Sequence, residues 1–333
     1  MGAPSRCVCE PTLTARSERS TVRIAAWRRR LPAAIGFMPN ERLMKGCAQV
    51  STTTSLTLSV DAAIDLQMHT TYSDGVWAPD ELIDYLQREG FALAAITDHE
   101  GIAASAQLQS IAQRKGFPLL VAAELTAAWR GQPTDMLSFG FDPAHPALRA
   151  VAEDITRRQS ENTRQVWDAM RAHGHRMPDK RALERILTQA GAQQMHSLYA
   201  VLVQVMQGDE AAADRAMTDG GFALANADIA EVVSSSHQSG GVCLIAHPGR
   251  GGGYVSFTPP LLDELRAEVP IDGLEVYYPK HTPEQTVMFA EYAATHGLLT
   301  SAGSDSHSAE MPPIKYQAAQ ARSLLERLGV RVE

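Results

Sequence analysis

Asp65-Leu66-Gln67-Met68-His69-Thr70-Thr71-Tyr72-Ser73-Asp74-Gly75 decides how the rest of the chain is read. The apolar run Ala63–Met68 reads as a strand. It delivers His69 at its C-terminal end, and Asp74 five residues later in a Ser-Asp-Gly turn. Taken alone, Asp74 before Gly75 is an ordinary turn aspartate. The pattern is then repeated. Leu93–Thr97 ends in Asp98-His99, Leu119–Ala123 in Glu124, Leu244-Ile245-Ala246 in His247-Pro248, and Leu298–Ala302 in Asp305-Ser306-His307. Five strands that each hand a His, Asp or Glu to the same end cannot be attributed to packing. Hard and borderline metals need this kind of convergence of carboxylate oxygens and imidazole nitrogens.

Working outward, helix-period segments alternate with these runs. Pro79–Glu89 carries Leu82, Ile83 and Leu86 on one face, and Ala104–Lys115 stops at Gly116. Further strands are expected at Met136–Phe141 and Gly273–Tyr277, and helices near Leu261–Ala267, Glu284–His296 and Gln317–Leu328. Alternation of this kind indicates βα units around a parallel sheet. About seven strands suit a closed barrel, whose active site forms at the strand C-terminal face. Between Ala144 and Gly240 the rhythm breaks into helical pattern alone: Leu148–Arg171, Lys180–Gln189, Ser197–Val205 and Ile229–His237. Residues 144–240 are therefore expected to form an inserted helical cap, with the barrel in residues 61–143 and 241–333.

Hydrophobic residues make up 44% of the 333 and charged residues 20%, a globular profile. The net charge of −8 argues against a nucleic-acid binder working through bulk electrostatics, though not against a nuclease whose ions reverse the local field. Residues 1–60 differ in hand: nine Lys/Arg against three Glu, rich in Ser and Thr, with Arg28-Arg29-Arg30. They read as a disordered leader or a start codon taken too far upstream, with a targeting extension as the alternative. No run is long enough to span a membrane, and no protein partner is called for. Cys7, Cys9, Cys47 and Cys243 show no zinc spacing, which points to a reducing cytoplasm.

The ordered series (the opening stretch, Ile96-Thr97-Asp98-His99, Glu124, Ala246-His247-Pro248 and Gly303-Ser304-Asp305-Ser306-His307) resembles the PHP (polymerase and histidinol phosphatase) superfamily from about Ala62 to the C-terminus. The helical insertion and Ala246-His247-Pro248-Gly249-Arg250 are most similar to its stand-alone phosphoesterases. These act on nucleoside 3′,5′-bisphosphates or trim short RNA from the 5′ end. The resemblance implies a distorted (β/α)7 barrel, two or three divalent ions, and a small phosphorylated substrate or nucleic-acid end. It carries His69, Asp74, His99, Glu124, His247, Asp305 and His307 over as metal ligands.

Two positions depart. Gln67 stands where the family's opening histidine would be, and Asp135 where a further histidine would be. Both swaps move the donor set toward oxygen, favouring Mn²⁺ or Mg²⁺ over Zn²⁺, with Fe²⁺ also compatible. Water activated by ions at Glu124, Asp305 and His69 would attack the phosphorus. Arg250, in a glycine-rich loop, His281 and His196 are the candidate substrate contacts. Trp129 and Arg130 are read as a loop able to stack a base or to pack on the cap. The competing readings are a catalytically silent metal-binding module and an amidohydrolase-like C–N hydrolase.

Overall fold

The computed structural model describes residues 56–333. In chain order the first half comprises β1 Thr57–Leu58, β2 Ala63–Asp65, α1 Pro79–Arg88, β3 Leu93–Ala95, α2 Ile102–Lys115, β4 Leu119–Leu120, β5 Ala122–Trp129 and β6 Gln132–Phe139. The helical block follows as α3 Pro146–Ala172, α4 Lys180–Leu187, α5 Gly191–Val205 and α6 Glu210–Asp219, then β7 Ala227–Asp228 and α7 Ile229–Gln238. The chain ends with β8 Val242–Ile245, α8 Pro259–Glu268, β9 Gly273–Tyr277, α9 Pro283–His296, β10 Leu299–Ala302, β11 Tyr316–Gln317, α10 Arg322–Arg327 and β12 Arg331–Val332.

Local chemistry accounts for most of these boundaries. Helix α1 opens on Pro79, with Asp80 and Glu81 in the first turn where the helix dipole favours acids. Helices α2 and α9 stop at Gly116 and Gly297, whose φ values of 67° and 63° suit glycine. A reciprocal Thr282–Gln285 capping box starts α9. Helix α6 was not anticipated. Asp209 caps it by accepting from the Ala212 amide.

The strands form mixed α/β architecture in three ladders: β11-β2-β3-β4, β10-β9-β8-β6-β5-β7, and β1-β12. Among the described residues no closed barrel is seen, and the sheets are not wholly parallel. β6 runs antiparallel to both β5 and β8. The reason is the two-residue turn Arg130-Gly131, with φ of 51° and 78°, which suits a tight hairpin. It pairs all eight residues of β5 with β6, from Ala122–Phe139 to Trp129–Gln132. Glu124 accordingly lies inside a strand that runs on to Trp129, not at a strand end.

Single backbone bonds continue where ladders stop. Leu66 and His69 amides donate to Ala302 and Ser306, and Thr97 and Glu124 amides to Met68 and Thr97, at 2.8–3.1 Å. The segments bearing Gln67, His69, His99, Glu124 and Asp305 thus lie side by side.

Three apolar clusters flank the strands, one built around Leu125, Met136, Ile245, Leu274 and Phe289, another around Leu66, Leu137, Leu244 and Leu324, and a third joining Leu82, Leu86 and Leu108 of α1 and α2 to Ala94 of β3. Helices α4 to α6 and the C-terminal half of α3 instead share a core of their own, with Val166, Trp167, Leu183, Leu198 and Leu202. Ile155 and Leu148 of α3, and Val232 and Val233 of α7, pack with the sheet cluster. The separate core is therefore narrower than the expected 144–240 block.

The leader expected at residues 1–60 lies outside the described residues except for 56–60. There Thr57 and Leu58 pair with Arg331 and Val332. No described helix is long and apolar enough to cross a membrane.

Candidate metal centre

His69 follows β2 and is fully buried. Its ring is stacked between His307 at 4.1 Å and His99 at 4.9 Å. Its Nε2 lies 3.1 Å from Glu124 Oε2 and 3.4 Å from Asp305 Oδ1, and its Nδ1 lies 3.6 Å from Asp74 Oδ1. Asp74 is brought back by a turn that tolerates only glycine at 75, where a Cβ would sit 2.3 Å from the His69 carbonyl oxygen. Asp98 braces this turn, accepting from the Thr70 amide, the Thr70 hydroxyl and the Ser73 hydroxyl, each at 2.7 Å. It is a scaffold residue beside the ligand-type His99.

Glu124 lies at the centre. Gln67 Nε2 donates to its Oε2 at 3.0 Å, and His247 Nε2 lies 3.1 Å from its Oε1. Asp135, two residues beyond the pair Glu124–Leu137 on the antiparallel strand, lies 3.8 Å from His247 Nε2 and 3.5 Å from Arg250 Nη1. His307 points its Nδ1 at the Asp305 carbonyl oxygen, 2.8 Å away, which leaves Nε2 facing Asp74 Oδ2 at 3.3 Å. That is the arrangement in which an outer hydrogen bond fixes the tautomer of a ligating imidazole.

Three groups of ligand atoms come close enough to hold an ion: His69, Asp74, His99 and His307; His69, Glu124 and Asp305; and Glu124, Asp135 and His247. The second shares a residue with each of the others. Several buried atoms find no hydrogen-bond partner among the described residues: Gln67 Oε1, both nitrogens of His69, His99 Nδ1 and both oxygens of Asp135. Buried polar groups are normally satisfied, so such a concentration fits divalent cations.

The electrostatics agree. Burial raises Asp135, with the Glu124 charge adding to it. Burial also works to raise Glu124, yet His99, His247 and His69 hold it well below its ordinary value. The His69 imidazolium is opposed by burial, but Asp305 and Glu124 beside it push it well upward. Buried carboxylates in this number call for positive charge.

All nine expected ligand positions converge here. Of the expected substrate contacts, Arg250 lies 4.0 Å above the Tyr254 ring and beside Asp135, and His196 reaches from α5 to within 3.6 Å of Asp74 Oδ2. His281 does not serve as expected. Its Nε2 accepts from the Gly249 amide at 3.1 Å and its Nδ1 donates to the Val276 carbonyl at 3.0 Å, so both nitrogens are committed to backbone. Burial pushes it down to about 4, and it is neutral.

Trp129 and Arg130 face away. Trp129 stacks on Phe257 and donates to Glu268, and Arg130 pairs with Glu264 and Glu268. They pack on α8 rather than on the cap or against a base.

Sequence reading passed over Tyr278, whose hydroxyl donates to Asp305 Oδ2, and Lys280, 3.7 Å from the same oxygen. It also passed over Glu275, fully buried one strand away from His247. The first two stand next to Pro279 and His281 in Tyr278-Pro279-Lys280-His281, just past a strand end, which was a usable signal. Glu275 sits inside Gly273–Tyr277, where a charged residue among apolar neighbours was the cue.

No family model matches the chain. It is 29% identical over 265 residues to a 3′,5′-nucleoside bisphosphate phosphatase of Chromobacterium violaceum, spanning 74% of this chain and 88% of that protein. It is 27% identical over 247 residues to a 5′-3′ exoribonuclease of Haemophilus influenzae, spanning 73% and 89%. Among solved structures, one from Chromobacterium violaceum described as an amidohydrolase, with bound sulfate and no metal, aligns with a TM-score of 0.63 at 26% identity. That alignment covers 77% of this chain and 92% of that one.

Proposed function

We propose that this chain is a phosphoesterase of the PHP type and that it hydrolyses the phosphate ester of a nucleotide or of a short RNA 5′ end, using two or three divalent ions. One observation carries the reading: three ligand groups joined through His69 and Glu124, the shared-carboxylate pattern of multi-ion phosphoryl transfer. The oxygen-weighted donors, with Gln67 and Asp135 among them, favour Mn²⁺ or Mg²⁺. Bound divalent ions act there as Lewis acids and bring the pKa of a coordinated water toward neutrality.

The chain's own residues supply the rest. Glu124 offers one oxygen to each of two neighbouring groups, with Gln67 fixing the orientation of its carboxylate. Arg250 presents a planar fork to phosphate oxygens, kept in place by the Tyr254 ring and Asp135. Tyr278 orients Asp305. His281, through the Gly249 amide, holds the loop from which Arg250 projects. His196 brings the cap to the site edge, so the helices around α5 are proposed to select the substrate.

The distorted (β/α)7 barrel stays the proposed architecture, supported by the backbone bonds that join Leu66 and His69 to Ala302 and Ser306. The cytoplasm stays the proposed compartment.

The amidohydrolase description of one similar structure is the observation favouring C–N hydrolysis. The relatives named a nucleoside bisphosphate phosphatase and an exoribonuclease weigh toward phosphate esters. Chelated protein reloaded with Mn²⁺ is expected to release phosphate or mononucleotides from nucleoside 3′,5′-bisphosphates and 5′-phosphorylated oligonucleotides. Turnover of amides but of no phosphate ester would overturn the reading. Tight ion binding without turnover of either would favour a silent module.

A further inference from the structure

His247 has φ of 31°, and Asp305 has φ of 55°. Both are ligand-type residues in the left-handed region, which non-glycine residues enter only where surrounding structure over-determines them. For His247 the strain is compounded, because the residue before a proline is driven toward extended backbone and Pro248 follows. Something must hold this conformation. The His247 amide donates to Glu275 Oε2 at 2.8 Å. The other oxygen, Oε1, lies 2.5 Å from where a Cβ on Gly303 would stand, two residues before Asp305. The fully buried Glu275 is thus wedged between the two strand ends that present His247 and Asp305.

We propose that Glu275 is a positioning residue: its carboxyl accepts the His247 amide and so aims the imidazole at the position shared with Glu124 and Asp135. The proposal rests on the ion-binding reading and extends it to a residue outside the ligand set. A buried carboxyl serving the fold alone would not discriminate among the three ligand groups, and that difference is measurable.

The test titrates Mn²⁺ alone into chelated full-length protein by calorimetry, with melting temperature recorded in parallel. Glu275→Gln keeps a carbonyl oxygen for the His247 amide and is expected to match the wild type within about threefold. Glu275→Leu fills the space but cannot accept, and one ion class should weaken by about 10–100-fold, as loss of an outer-shell partner does, while the remaining class is unchanged. Glu275→Asp, whose carboxyl is drawn back by one methylene, should behave like the leucine variant and gives the result if that variant does not fold.

Equal affinity in a folded Leu or Asp variant overturns the proposal. So does equal weakening of every ion class, or a glutamine variant as impaired as the leucine one. A wild-type protein that takes up no Mn²⁺ overturns the ion-binding reading, and this proposal with it.

Discussion

Gln67 Nε2 and His247 Nε2 approach opposite oxygens of one carboxylate, Glu124, at 3.0 and 3.1 Å. A neutral amide and an imidazole therefore share control of the residue common to two ligand groups. Glu124→Gln should lower ion content and turnover together, by more than the roughly 10–100-fold that losing an outer-shell partner costs. Elemental analysis of dialysed protein beside an activity assay checks both. Gln67→His should shift preference toward Zn²⁺, read by competitive loading, because it restores a nitrogen donor. Unchanged metal content in both variants would refute the ligand assignment.

Under the proposed function, Arg250 contributes to binding rather than to ion retention. Arg250→Ala is expected to raise KM by about 10–100-fold, the value of one or two charge-assisted hydrogen bonds, with ion content unchanged. Arg250→Lys should recover part of the loss, since a point charge lacks the fork. Steady-state kinetics on a nucleoside bisphosphate separates the cases. A loss in kcat with KM intact would contradict the assignment.

His281 gives a pH signature. Burial lowers it to about 4, against an ordinary value of 6.5, so the folded state binds fewer protons than the unfolded one between these values. Its stabilising contribution is complete above about pH 6.5 and drains away as pH falls toward 4. Melting of chelated protein should show this slope, and His281→Gln should flatten it. A slope identical in both proteins would remove His281 as its source.

Two shortened chains, one beginning at Leu56 and one at Asp61, test the contribution of the first strand. The second loses the β1–β12 pairing, the Val60–Glu333 backbone bond and the buried Leu58 side chain. It is expected to be less stable by about 1.5–3 kcal/mol from the leucine alone. Thermal unfolding of the two decides it.

Much of this molecule was legible before its structure. Gly273–Tyr277 is a strand with the expected bounds, and α1 and α2 stop near Arg88 and at Lys115 because glycines and helical periodicity mark such places locally. The candidate positions His69, His99, His247 and Asp305 were legible because they follow recognisable strands, whereas Gln67 and Asp135 were singled out only through the family resemblance.

What escaped depends on pairing partners distant in sequence. The antiparallel course of β6 follows from a turn at Arg130-Gly131, a weaker signal than Asn-Gly. Misreading that turn is why Trp129 was expected in a loop. His281 was expected at the substrate because proximity to a strand end says nothing about which backbone groups its nitrogens will meet. Asp98 stood outside the expected ligand set, and what it does instead shows only in its three hydrogen bonds to residues 70 and 73.

The antiparallel course of β6 has a consequence for how the centre can vary. Asp135 is presented from the interior of β6, with its backbone paired to Thr126 of β5 on one side and its carbonyl accepting from the Ala246 amide on the other. His247 and Asp305 depend instead on left-handed backbone that their loops must sustain. A donor at 135 can be exchanged for another of different charge while the main chain stays where it is; at 247 or 305, a change of residue risks moving the loop. The centre is in this sense modular at one seat and rigid at two, and its ion selectivity is open to adjustment by a single side chain.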